Sequence, residues 1–69
     1  MNKWVVVASD MDGLTAYQVV HSSDVSQVLS GCYNGNLIKD FSLNKSEMMK
    51  VADQLNANNE PAPYNPFRK

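Results

Sequence analysis

The stretch Trp4-Val5-Val6-Val7-Ala8-Ser9-Asp10-Met11-Asp12-Gly13-Leu14-Thr15-Ala16-Tyr17-Gln18-Val19-Val20-His21 decides the fold. Trp4 to Ala8 is rich in β-branched and aromatic side chains, which suit the pleated, half-buried surface of a strand. Ser9 to Gly13 is a cluster of turn formers, and Asp12-Gly13 is a strong turn pair because glycine accepts positive φ. Leu14 to His21 reads as a second strand, with Tyr17 and Val19 on one side and Ala16 and Val20 on the other. Two such runs flanking five turn residues predict a β-hairpin.

Downstream, Val25, Val28, Leu29 and Cys32 recur at helical spacing, with Ser22, Ser23 or Asp24 able to cap the start and Gly31 the end. The same region admits a strand through Cys32-Tyr33 that turns at Asn34-Gly35; the helix is the preferred reading. Leu37 to Ser42 alternates as a third strand, with Leu37, Lys39 and Phe41 on one face. The clearest helix start follows. Asn44 stands three residues before Glu47, at capping-box spacing, and Leu43 and Met48 are placed as a hydrophobic staple. Met48, Val51, Ala52 and Leu55 mark a buried face widened by Met49, so a helix is expected from Lys45 to Asn56 or Ala57.

The predicted class is α+β: a small three-stranded antiparallel sheet in β-β-α-β-α order, packed on a C-terminal helix. The domain is expected over residues 1–57, with 58–69 an extended or disordered Pro- and Asn-rich tail, since Pro61, Pro63 and Pro66 resist helix.

Size narrows the function. Of 69 residues, roughly 55 to 60 can build a core, which leaves no space for a second domain and little for a deep catalytic cleft. One cysteine, Cys32, excludes an intrachain disulfide, and with one histidine, His21, a Cys/His metal centre has too few ligands. Self-association is the remaining way for so small a domain to gain stability. The net charge is −1 and the six cations are scattered, which disfavours nucleic acid. The apolar run Trp4 to Ala8 is too short for a signal core or a membrane span, and the single thiol suits a reducing compartment. The expectation is a cytoplasmic protein.

Val5 to Asp10, with Asp12 and Gly13, resembles the first motif of the haloacid-dehalogenase-type phosphatases. That resemblance implies Asp10 as nucleophile, Asp12 as general acid/base and a magnesium ion nearby. The family places Thr directly after the Gly, whereas here Leu14 intervenes before Thr15, and its parallel α/β domain is far longer than this chain. A hairpin turn accounts for the same residues. An EF-hand is excluded too, because no glutamate follows Asp10 until Glu47. Cys32 at the end of an apolar face reads as a buried thiol, and His21 as a strand-end residue. No catalytic residue, metal ligand or cofactor is therefore expected.

Asn34 to Ser42 leading into Met48 to Asn56 is similar to small proteins common in phages and prophages that pair a short antiparallel sheet with a C-terminal helix. The resemblance implies an accessory protein that binds and modulates a host or defence factor. Both faces of the hairpin are apolar, so one helix leaves surface uncovered, and a homodimer or a protein partner is expected to cover it. The expected interface is Trp4, Val6, Tyr17 and Val19 on the hairpin, with Tyr64 and Phe67 on the tail. The alternative function is a small nucleic-acid or nucleotide binder that stacks bases on Trp4, Tyr17 or Tyr33.

Overall fold

The hairpin forms with a tighter turn than its composition predicts. In the computed structural model, which describes residues 3–30 and 35–66, β1 spans Trp4–Met11 and β2 spans Leu14–His21. Only Asp12 and Gly13 turn, at φ 51° and 84°. Positive φ at both positions defines a type I′ turn, whose twist matches that of the strands it joins. Ser9, Asp10 and Met11 consequently remain in the ladder. The change from a five-residue to a two-residue turn shifts the pairing to Trp4 with His21, Val6 with Val19 and Ala8 with Tyr17. Opposed residues share a face, so Trp4, Val6 and Ala8 lie with Tyr17 and Val19. A five-residue turn over Ser9 to Gly13 would instead have set Val5 and Val7 on that face with Tyr17 and Val19. An odd change in turn length exchanges the two faces of one strand, because the side-chain period is two.

A 3-10 turn over Ser22–Asp24 leads into the short helix α1, Val25–Leu29. The helical reading of this region holds over those residues; Cys32, Tyr33 and Asn34 lie outside the described residues. Leu29 is 59% exposed, so the expected apolar face does not bury it. Another 3-10 turn, Gly35–Leu37, precedes β3, Ile38–Ser42. The third strand thus starts one residue later than predicted, and Leu37 belongs to the turn, where it is completely buried. β3 pairs antiparallel with β2, completing a sheet of order β1-β2-β3. Val19 faces Asp40 and Val20 faces Ile38, which leaves Lys39 as a bulge. Phe41, expected to share a face with Leu37, is 63% exposed.

The helix α2 runs from Lys45 to Ala57. Asn44 caps it through Oδ1, which accepts from the Glu47 amide at 3.1 Å, while the Asn44 amide donates to Ser42 Oγ at 3.0 Å. Met48 and Ala52 are buried against Trp4 and Val19, and Val51, Leu55, Val6 and Tyr17 close around that core. Leu43 and Met49 stay exposed, so the staple adds little burial and Met49 does not widen the buried face. The C-terminus ends in a Schellman motif: Glu60 N–H donates to Leu55 O at 3.0 Å and Asn59 N–H to Asn56 O at 3.1 Å, with Asn59 at φ 52°.

The described part of the tail returns to the domain. Trp4 Nε1–H donates to Glu60 O at 3.0 Å. The side-chain amides of Asn65 and Gln27 bond each other reciprocally at 2.6 and 3.4 Å, and Asn65 Nδ2 donates to Asp24 Oδ1 at 3.1 Å. Asp24 and Asn65 are both buried. Among the described residues, no helix is long and apolar enough to cross a membrane.

Candidate protein-binding groove

A groove of ≈ 410 Å³ lies between β1 and α2. Trp4, Val6 and Ala8 line it from the strand, with Tyr17 of the neighbouring strand. Lys45, Met49, Ala52, Asp53 and Asn56 line it from the helix, with Lys3 beside Trp4. The apolar part comes from the alternation of β1: Val6 and Ala8 sit on the helix-covered face, and α2 presents Met49 and Ala52 to the same space.

The backbone of β1 gives this groove its chemistry. Successive residues in an antiparallel strand direct their N–H and C=O groups to alternate sides. Ser22 N–H donates to Lys3 O at 2.7 Å, so Lys3 faces β2 and Trp4 faces away from it. Both outward groups of Trp4 are taken by one side chain. Trp4 N–H donates to Asn56 Oδ1 at 2.7 Å, and Asn56 Nδ2 donates to Trp4 O at 3.0 Å. The Asn56 amide thus occupies the place that a neighbouring strand would take. Val6, Ala8 and Asp10 share the outward orientation of Trp4, and no backbone partner is present for them on that side among the described residues. The result is a short open ladder beside an apolar groove, closed at one end by Asn56 and at the other by the turn.

The residues expected at an interface are divided by the fold. Val6 and Tyr17 are half-buried and line the groove. Trp4 and Val19 are core residues, 3% and 0% exposed, because α2 covers the face on which they stand. Burial also removes Trp4 as a base-stacking platform; Tyr33 lies outside the described residues. Tyr64 is 79% exposed on the tail, away from the groove lining, and Phe67 lies outside the described residues. Asn56, Lys45 and Asp53 carry no expectation as site residues in the sequence, and Met49 reads there as part of the buried helix face. The spacing of Lys45, Met49 and Asp53, four residues apart, was the available signal for a common helix stripe.

Two other clusters bring polar side chains together. Asp10 and Asp12 sit at the exposed hairpin tip, where Thr15 Oγ1 lies 3.5 Å from Asp10 Oδ1. Ser23 Oγ lies 2.8 Å from His21 Nδ1, the separation of a serine and its base, but Asp24 Oδ1 approaches the serine at 3.5 Å rather than the imidazole. In a hydrolytic triad the carboxylate orients the histidine. Here His21 Nδ1 also accepts from Ser23 N–H at 3.3 Å, so the group caps the 3-10 turn. Among the described residues, no group of three or more His, Cys, Asp or Glu could hold a metal ion. No family model, curated protein or solved structure matches the chain.

Proposed function

We propose that the chain is a non-enzymatic protein-binding module that adds an extended segment to the open edge of β1, with the side chains of that segment received between β1 and α2. The observation that carries this reading is the set of outward N–H and C=O groups on Val6, Ala8 and Asp10 beside the apolar groove. Main-chain bonds to a sheet edge supply affinity in this mode of recognition, and the adjoining groove supplies selectivity. The resemblance to small phage proteins makes a host or defence protein the natural partner, and the lone Cys32 suits a cytoplasmic setting.

The test is a paired capture from the native host. Ala8→Pro removes one outward N–H and leaves the ladder to β2 in place. A partner retained by the wild-type bait should be absent from the Ala8→Pro eluate; equal capture by both baits, with the wild-type bait monomeric, would refute edge recognition.

A further inference from the structure

We infer that the occupant of the groove is a second copy of this chain, its β1 laid antiparallel on β1 about a two-fold axis at Ala8. The inference rests on the reading of β1 as a strand-accepting edge and names what that edge accepts.

The closed ends of the edge set the register. Asn56 blocks Trp4, and the turn begins at Asp12, so Val6, Ala8 and Asp10 are the residues left to pair. An axis at Ala8 sets Val6 of each copy against Asp10 of the other, and Ala8 against Ala8. All the open groups are then used. An axis one residue earlier, at Val7, would drive Asp10 of one copy against the Asn56 plug of the other. The pairing is also self-complementary in charge. Lys3 stands at the start of the strand, and Asp10 and Asp12 at its tip. Antiparallel pairing lays each acidic tip towards the other copy's Lys3, whereas a parallel pairing would set like charges side by side. Ala8 is exposed and small, so nothing bulky stands at the axis. A two-fold interface of this kind presents the same patch from both copies.

Cross-linking reads the register directly. In a Cys32→Ser background, Ala8→Cys places two thiols on opposed residues whose Cα atoms are roughly 5.5 Å apart, within the span of a disulfide. Val6→Cys leaves its two copies roughly 13 Å apart, four residues of strand rise. Mild oxidation should give a covalent dimer for Ala8→Cys and none for Val6→Cys alone. A mixture of Val6→Cys and Asp10→Cys chains should give the hetero-dimer. By sedimentation, the full wild-type chain should be a dimer and Ala8→Pro a monomer with unchanged circular dichroism. Lys3→Glu should weaken association roughly three- to tenfold. A wild type that stays monomeric at high micromolar concentration, or cross-linking of Val6→Cys as ready as that of Ala8→Cys, overturns the inference. A monomeric wild type whose host partner is still lost in Ala8→Pro overturns the second copy alone. A monomeric wild type whose partner is captured equally by both baits overturns the edge reading beneath it as well.

Discussion

The two edges of this sheet are built in opposite ways. β1 is eight residues long, pairs in unbroken register and leaves Val6, Ala8 and Asp10 facing outward with their backbone groups open. β3 is five residues long, is broken by the Lys39 bulge, and has Phe41 as its outward residue beyond it. That Phe41 N–H is already taken, at 2.8 Å, by Asp40 Oδ1. Short length, a bulge and a charge are the devices by which edge strands avoid pairing with other chains. β3 carries all three, whereas β1 carries Asp10 near the turn and the Asn56 plug at its other end. The proposed pairing uses the edge that the fold leaves open and spares the one it defends.

The largest expected effect comes from breaking β1 on its inner side. Val7 N–H points to Gln18 in the ladder, and that of Ala8 points out. Val7→Pro should cost about 3 kcal/mol, since proline removes a ladder bond and leaves the opposing Gln18 carbonyl unpaired. Ala8→Pro should cost about 1 kcal/mol or less, because its lost N–H had no partner in the chain. Urea denaturation of both variants checks this. Equal losses would mean that the alternation of inner and outer groups along β1 is misassigned.

Asn56→Ala comes next. It removes both bonds to Trp4, which are partly buried, and should cost about 2 kcal/mol at about 1 kcal/mol per bond. It also extends the open edge by one residue, so the pairing of two copies should lose its fixed register. The Val6→Cys cross-link that the plug forbids should then appear. A stability within about 0.5 kcal/mol of wild type, the range of an ordinary surface change, would show that the plug is not formed in solution.

How much of this was legible in the sequence follows from the range of each interaction. The Asn44 cap and the buried stripe of α2 depend on neighbours within two turns, and both were read with the helix bounds right to a residue. The hairpin was legible, but its faces were not. They hinge on whether Ser9, Asp10 and Met11 turn or pair, and their composition suits either. That one ambiguity separates Trp4 and Val19 onto opposite faces, whereas the two-residue turn brings both into the core under α2. Leu37 misled in a similar way: its alternation with Phe41 is real in sequence, but the Lys39 bulge breaks it. The Asn56 plug and the Asn65–Asp24 contact join residues 52 and 41 positions apart. No local pattern marks an asparagine that will close a strand edge, and the tail prolines that signal an extended chain say nothing of where it docks.

The smallest effect on stability, and the sharpest test of the comparison, lies on β3. Asp40 is exposed, and its bond to the Phe41 amide is local, so Asp40→Val should change the unfolding free energy by about 0.5 kcal/mol or less. Its effect on assembly should be larger. With the carboxylate gone, Phe41 N–H is open to another chain, and its exposed ring adds apolar surface beside it. A chain with two open edges can pair on both sides, so the proposed closed dimer would give way to open-ended assembly. Light scattering and sedimentation of Asp40→Val should show species larger than a dimer, growing with concentration. Ala8→Pro combined with Asp40→Val should stop at pairs, because only one edge then remains open. If Asp40→Val sediments like the wild type at every concentration, the bulge and shortness of β3 close that edge without the carboxylate.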